Sequence, residues 1–151
     1  MQSPDAGYAN QIAQATAPIT GGLICPPPVT TTCGLDILPG YSPVDHDQRN
    51  TLNLGFNASL PWQSFASINV YYGSGFTNGD PNAQYPGNYL PSHTTFDLSV
   101  GKTFQEKYSV AVNALNVANR RVLLDNSLTF GGFHFNDPSE IYAEFRYRFH
   151  Y

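Results

Sequence analysis

The chain has 151 residues, which allows one domain or part of one. Charged residues make up 12% of it, about half the ~25% that is usual in soluble globular proteins. The net charge of -4 argues against a nucleic-acid partner, because nucleic-acid-binding proteins carry clustered basic patches. An apolar fraction of 41% excludes a disordered chain, and no apolar run reaches the ~18 residues of a membrane-spanning helix. Low charge combined with 14% aromatic residues is typical of transmembrane β-barrels.

Residues 1–46 show no sustained periodicity and are predicted to form a long extracellular loop. A loop of this length is unusual inside a compact domain but normal on the outer side of a large membrane barrel. Met1 to Asp5 include neither a basic nor an apolar stretch, so we expect no signal peptide in this chain. Cys25 and Cys33 bound the run CPPPVTTTC, where a small loop disulfide in an oxidising compartment and two free thiols are the alternatives.

Residues 47–151 alternate with a period of two, and the fold is predicted to be all-β. The strands are expected to be antiparallel and connected up and down as a meander. Five strands are predicted near residues 50–60, 65–74, 94–104, 107–117 and 139–151. Their length suits tilted transmembrane strands, which need about 9–11 residues to cross the hydrocarbon.

One face of the predicted sheet is apolar and carries no charge at the alternating positions. Its members are Leu52, Leu54, Phe56, Ala58, Leu60, Ala66, Ile68, Val70, Tyr72, Phe96, Leu98, Val100, Tyr108, Val110, Val112, Ala114, Ile141, Ala143, Phe145, Tyr147, Phe149 and Tyr151. The opposite face is formed mainly by Thr, Asn, Ser, Gly and charged residues. This contrast predicts that one face contacts lipid and the other lines a lumen.

Short turns alternate with long irregular connections along the chain. The turns lie at residues 61–64 and 104–107, and bacterial outer-membrane barrels likewise have short periplasmic turns and longer extracellular loops. Aromatic residues gather at the turn end, where an interfacial girdle is expected: Trp62, Phe65, Phe104, Tyr108, Tyr147, Phe149 and Tyr151. A soluble antiparallel sandwich also alternates, but five such strands would leave its apolar face without a second sheet.

Four segments form an ordered series along the chain. They are DHDQRNTLN at residues 45–53, LPW at 60–62 followed by YGSGF at 72–76, ALNVANRR at 114–121 and FRYRF at 145–149. In this order and spacing they resemble the C-terminal end of TonB-dependent outer-membrane receptors, over about residues 43–151.

The resemblance implies a barrel of about 22 strands, of which residues 47–151 supply the last part, in a bacterial outer membrane. It implies a transporter for a siderophore, cobalamin, a carbohydrate or a peptide. We expect no plug domain in residues 1–151, and we therefore expect this fragment to be inactive by itself. The implied partners are the remaining strands and plug of the receptor, outer-membrane lipid and the barrel assembly machinery, with TonB reached only through the plug.

The candidate site residues follow from the faces and from the resemblance. Resemblance implies that Phe145, Tyr147, Phe149 and Tyr151 form the terminal strand that the assembly machinery recognises. The charged residues on the polar face are expected to face the lumen, and they are Asp97, Glu144, Arg146 and Arg148.

A catalytic or metal site is not expected from this sequence. Asp45, His46 and Asp47 are interpreted as a polar strand entry, with a metal or acid-base cluster as the alternative. His93 and His134 fall in other long connections on the same side, and nothing in the sequence brings the three histidines together. There is no nucleophile elbow, phosphate loop or set of metal ligands, so no enzyme activity and no cofactor are predicted.

Three functions remain open at this point. The first is the C-terminal part of a TonB-dependent transporter. The second is a small self-standing or oligomeric outer-membrane barrel protein, against which an odd number of strands argues. The third is a soluble β-domain that binds a partner.

Overall fold

The structure is a computed structural model that describes residues 2–16, 40–44, 46–77, 87–126 and 133–149. Every regular element in these ranges is a β-strand, and the strand pairs are antiparallel. The prediction of an all-β, antiparallel fold is therefore confirmed. The same ranges contain no helix of a length and apolarity that would cross a membrane. Asp45, Cys25, Cys33 and Tyr151 lie outside the described residues.

Six strands form the main sheet, and four short strands form two small ladders beside it. In the sheet are β1 Gln2–Asn10, β4 Asn50–Leu60, β5 Ser64–Gly73, β6 His93–Phe104, β7 Tyr108–Leu115 and β10 Glu140–Tyr147, in the order β1-β4-β5-β6-β7-β10. In the ladders, β2 (Gln14–Thr16) pairs with β3 (Tyr41–Pro43), and β8 (Leu123–Asp125) pairs with β9 (His134–Phe135). Each of the five predicted strands is present, but the last ends at Tyr147, earlier than expected.

Strand β1 corrects the prediction that residues 1–46 form a loop and that the sheet has five strands. It pairs with β4 from Gln2 opposite Ala58 to Asn10 opposite Asn50. This strand was not predicted from the sequence, because it contains Pro4 and proline normally interrupts a β-ladder. Proline is tolerated at the edge of a sheet, and β1 is an edge strand.

The register of the main sheet places the predicted apolar positions on one face. One row of paired residues runs from Phe56 to Ile68, Leu98, Ala114 and Ile141 across five strands. Paired residues in an antiparallel ladder point to the same side of the sheet. The alternation read from the sequence is therefore continuous across β4, β5, β6, β7 and β10.

The register also corrects the expectation that the apolar face is free of charge. Lys102 lies on it, opposite Ser64 on β5 and Val110 on β7. Lys102 lies two residues after Val100 on β6, so both side chains point to the same face, and it is close to the β6–β7 turn. In contrast, Phe65 lies on the polar face opposite Gly101, so it does not belong to the outward aromatic girdle.

Two tight turns join β4 to β5 and β6 to β7. Trp62 and Gln63 in the first turn have φ of 58° and 56°, and Gln105 and Glu106 in the second have φ of 50° and 59°. Consecutive positive φ angles are typical of type I′ hairpin turns, whose twist matches that of the strands. Residues other than Gly and Asn occupy this left-handed region at a cost of roughly 1–2 kcal/mol each.

Burial is inverted relative to a soluble protein. Within the described ranges Val122, 5% exposed, is the only residue of a hydrophobic core. Polar and charged residues are buried in the same ranges, namely Asp47, Gln48, Ser74, Thr77, Asn116 and Asp125. Folded soluble proteins usually bury apolar side chains and expose polar ones, so a large exposed apolar surface and buried polar groups are informative. The sheet has no hydrophobic core of its own in the part of the chain that the structure describes.

Candidate functional site

The apolar face is a broad exposed surface formed by β4 to β7 and β10. Large apolar side chains on it are open to the surroundings, among them Phe56 (40% exposed), Val100 (55%), Val112 (44%) and Phe145 (64%). The main contacts between described strands are those within the sheet and within the two small ladders, so no second layer of strands packs against this face in the described ranges. The described part of the chain therefore leaves this surface uncovered.

An aromatic rim borders the apolar face at its tight-turn end. Trp62 is 83% exposed in the β4–β5 turn. The ring of Tyr108 lies 5.0 Å from that of Tyr147, which in turn meets Phe149 edge to face at 4.4 Å. Lys102 belongs to this rim, and its Nζ lies 5.2 Å from the centroid of the Phe104 ring. Tyr147 is the last residue of β10 and Phe149 follows the strand; that they belong to a strand recognised by the assembly machinery stays a prediction.

The polar face holds the charged residues predicted to line a lumen. Asp97 pairs with Asn69, and Arg146 pairs with Ser109, all on the face opposite the apolar one. Arg146 Nε donates to Glu144 Oε1 on the same strand. Two open cavities of about 290 and 420 Å³ lie along this face, and Arg148 lines the second. That this face lines a barrel lumen stays a prediction.

Asp47 connects four segments at the opposite, loop end of the sheet. It is 2% exposed, and its Oδ1 accepts a hydrogen bond of 2.9 Å from the Ala13 backbone N–H. Its Oδ2 accepts from the Tyr89 hydroxyl and lies 3.9 Å from Arg49 Nη2. Its carbonyl accepts from the Thr77 backbone N–H at 3.0 Å. Asp47 is therefore a structural link between long connections, as the interpretation of a polar strand entry requires.

The surroundings of Asp47 change the pKa of the Tyr89 hydroxyl. Burial raises the pKa of Tyr89 above its usual value of 10.0, and the hydrogen bond to Asp47 raises this pKa further. Arg49 acts in the opposite direction. The neutral phenol of Tyr89 is therefore the form that donates the hydrogen bond to Asp47.

A run of four rings crosses the loop end of the sheet. His46 lies 6.0 Å from Phe76, Phe76 stacks on His93 at 5.6 Å, and His93 lies 5.7 Å from Tyr71, all between ring centroids. The structure thus brings together two of the three histidines that the sequence left separate. The third, His134, lies on β9 opposite Asp125.

A cleft of about 330 Å³ opens beside these rings on the polar face. Its lining combines aromatic rings with carboxylate and amide groups and with the apolar residues Leu115, Val122, Leu124 and Pro138. The lining includes Tyr71, Phe76, His93, Asp97, Asn116, Asp137 and Glu140, and no Lys or Arg. Such a surface suits an uncharged or cationic polar ligand better than an anion. No group of three potential metal ligands occurs in the described ranges.

Asn116 holds the connection between β7 and β10 in place. Its Nδ2 donates to the carbonyls of Arg120 (3.0 Å) and Asp137 (3.1 Å). Its Oδ1 accepts from the Arg120 N–H at 2.9 Å, and its own N–H donates to Asp97 Oδ1 at 2.8 Å. Sequence reasoning assigned no role to Asn116, although it lies within ALNVANRR. These partners and its 6% exposure make it a structural residue.

No family model, no curated protein and no solved structure matches the chain. A functional assignment must therefore come from the molecule itself. The features that bear on it are the uncovered apolar face, its aromatic rim and the polar face with its cleft.

Proposed function

We propose that the chain supplies the C-terminal strands of a TonB-dependent outer-membrane transporter barrel, with its apolar face toward lipid and its polar face toward the lumen. The observation that carries this proposal is the inverted burial. Apolar side chains such as Phe56 and Val112 are exposed, while Asp47 and Asn116, which are polar, are withdrawn from solvent. This arrangement is stable where the surrounding medium is hydrocarbon and the interior is wet.

The energetics argue against water on the apolar face. Fully burying a large apolar side chain is worth roughly 1.5–3 kcal/mol. Leaving about a dozen of them half exposed to water therefore costs on the order of 10 kcal/mol. That equals the whole net stability of a typical domain, about 5–15 kcal/mol. A bilayer covers the entire face at once and also explains the aromatic rim at one end, because Trp and Tyr favour the interface between membrane and water.

The polar face and the loop end fit the transport role. The cleft beside Tyr71, Phe76 and His93 opens on the face that we assign to the lumen. It lies at the end with the long connections, which in outer-membrane barrels is extracellular. We propose that this cleft forms part of the wall along which a siderophore, cobalamin, carbohydrate or peptide passes, together with the plug and the strands that the full receptor adds.

Spin labels on two adjacent residues test the assignment of faces. Val112 is on the apolar face of β7, and Ala111 is the matched position on the polar face. In the full-length protein in lipid vesicles, a label introduced by Val112→Cys should be accessible to oxygen and shielded from a water-soluble nickel complex. A label introduced by Ala111→Cys should show the reverse preference. Equal access of the nickel complex to both labels would contradict a lipid-facing surface.

The upstream reading frame tests the receptor assignment itself. If the proposal is correct, the frame that leads into Met1 encodes further alternating strands and a plug domain. A separate promoter and a signal peptide directly before Met1 would instead favour a small outer-membrane protein.

One observation favours that second candidate more than the sequence did. Among the described residues the main sheet has six strands. Because this number is even, β1 of one copy and β10 of another would pair antiparallel. Both edges lack a partner among the described strands, and open edges pair with other chains. Native mass spectrometry of the assembled protein distinguishes the two candidate functions. A TonB-dependent transporter contains one chain per barrel, whereas a barrel of small outer-membrane proteins contains several.

A further inference from the structure

Lys102 is a charged residue in an apolar setting. It lies on the apolar face between Ser64 and Val110, and among the described strands that face has no other charged residue. None of the described carboxylates forms an ion pair with it, and its side chain instead extends over the ring of Phe104. An ammonium group on a lipid-facing surface is costly unless it reaches water or a counter-charge. The described part of the chain supplies no such counter-charge.

The position of Lys102 along the strand indicates where a counter-charge would come from. The β4–β5 turn lies directly beside it, because Gln63 O accepts a 2.9 Å hydrogen bond from Thr103 N. Exposed Trp62 in this turn and Phe104 on β6 mark the level of the membrane interface. A lysine stem lies along apolar surface while its ammonium extends toward the interface. Lipid phosphates occupy that level, and they form charge-assisted hydrogen bonds with ammonium groups.

The charge distribution favours anionic over zwitterionic lipid. Four of the seven basic residues lie at the tight-turn end of the sheet, namely Lys102, Lys107, Arg146 and Arg148. Among the described residues, two acidic ones, Glu106 and Glu144, lie at that end, and Glu144 already pairs with Arg146. The net positive charge attracts an anionic membrane surface.

We propose that Lys102, with the Ser64 hydroxyl and the Phe104 ring beside it, binds the phosphate of an anionic phospholipid headgroup at the tight-turn rim. This inference rests on the proposed function, because only contact with lipid brings a headgroup to this face. It adds a specific lipid site that the general barrel assignment does not require. The occupant is a lipid, since the site is one cation on an apolar surface and lacks the several donors that would enclose a free phosphate.

The experiment measures lipid retention by the full-length protein. The protein is purified in detergent, mixed with phosphatidylglycerol or phosphatidylcholine, and analysed by native mass spectrometry. Lys102→Gln should lower phosphatidylglycerol binding about fivefold, the effect expected for one lysine near a membrane surface. Lys102→Arg should retain it. Lys107→Gln is the matched control, because it removes a neighbouring positive charge from the turn without changing the apolar face, and its effect should be clearly smaller than that of Lys102→Gln.

The outcomes separate this inference from the barrel assignment. If Val112→Cys reports lipid contact but Lys102→Gln and Lys107→Gln retain phosphatidylglycerol equally, the headgroup site is wrong and the barrel assignment stands. If Val112→Cys reports water, both are wrong. Competition by millimolar inorganic phosphate as effective as that by the lipid would show a free-anion site and would also overturn the proposal.

Discussion

The ring of Phe65 lies across Gly101 on the polar face of the sheet. A Cβ on Gly101 would overlap the Phe65 ring carbons Cε1 and Cζ, and it would approach the carbonyl oxygen of Val110 to 2.9 Å. Phe65 and Gly101 are register partners on neighbouring strands, so the absence of a side chain on one creates the space that the other fills. An aromatic ring over a strand glycine is a known means of stabilising that glycine.

Replacing this glycine should therefore destabilise the sheet. Gly101→Ala forces the Phe65 ring off its position, and such overpacking typically costs about 1–3 kcal/mol. The measurement is urea unfolding of the full-length protein refolded into lipid vesicles. Gly7→Ala on edge strand β1 is the control, because nothing lies within 4 Å of a Cβ at that position. Equal stability of both variants would show that the ring does not depend on Gly101.

The two faces of β7 should differ in their tolerance of charge. Val112→Arg places a guanidinium on the apolar face, where a basic residue near the membrane midplane costs roughly 2–4 kcal/mol. Ala111→Arg places the same group on the polar face one residue earlier, and a much smaller loss of stability is expected. Both variants are compared by unfolding in lipid vesicles. A soluble β-domain would instead show little cost for the arginine that points into water at position 112.

The strands could be predicted from the sequence because alternation depends on local residue order. Leu52 to Leu60 and Ile141 to Tyr147 alternate without interruption, and the structure has strands at both places. The side-chain direction of Lys102 also follows from the alternation, since Lys102 lies two residues after Val100 on the same strand, although Lys102 was not predicted to lie on the apolar face. Strand β1 was missed because its pairing with β4 depends on a partner far away along the chain.

The loop end of the sheet was the least predictable part. Asp47 meets Thr77 and Tyr89 because the connection before β4 and the long connection between β5 and β6 return to one place, and no local pattern encodes that meeting. The contact of His46 and His93 with Phe76 has the same origin. Residue types suggested polar chemistry here, but only the chain path decides which of them are neighbours.

Asn116 should be more important for stability than its surface-loop position suggests. Asn116→Ala removes the side-chain bonds to Arg120 and Asp137 and leaves part-buried backbone groups without these partners, at a cost of roughly 1–3 kcal/mol. Asn113→Ala is the control, since Asn113 accepts one hydrogen bond from Ser99 on the polar face. Unfolding in lipid vesicles measures both. If the two variants lose similar stability, the bonds of Asn116 are not the ones that hold this connection.

The link between Tyr89 and Asp47 should weaken at high pH. Because burial and Asp47 raise the pKa of Tyr89 in the folded protein, its contribution is complete below the unfolded pKa of about 10. The contribution is lost as the pH rises through the higher folded pKa. Tyr89→Phe removes the hydrogen bond at every pH, at a cost of about 1–2 kcal/mol near neutrality. The difference in unfolding free energy between Tyr89→Phe and the unmodified protein should therefore be constant up to about pH 10 and shrink above it. A difference that does not shrink at still higher pH would contradict the link.

The end of the chain should matter more for assembly than the cysteine-containing segment. Strand β10 has no second partner among the described strands, so its outer edge can add to another sheet through backbone hydrogen bonds, while alternate side chains fit pockets on the partner. Phe145 and Tyr147 supply such side chains on the apolar face, and Phe149 packs against Tyr147 at 4.4 Å. Removing residues 149–151 from the full-length protein takes away Phe149 and Tyr151, the last two aromatic residues of this predicted series.

We therefore expect removal of residues 149–151 to lower the outer-membrane level of the full-length protein far more than deletion of the segment between Cys25 and Cys33. Among the described residues, β10 is paired by β7 alone, so deletion of residues 25–33 should leave recognition by the assembly machinery intact. Heat-dependent mobility on gels reports folding, and surface labelling reports the outer-membrane level at matched expression. Phe149→Leu separates loss of the ring from loss of chain length, and it should give an intermediate level because an apolar side chain remains. Normal assembly of the truncated protein alongside failure of the segment deletion would show that β10 is not the recognised strand.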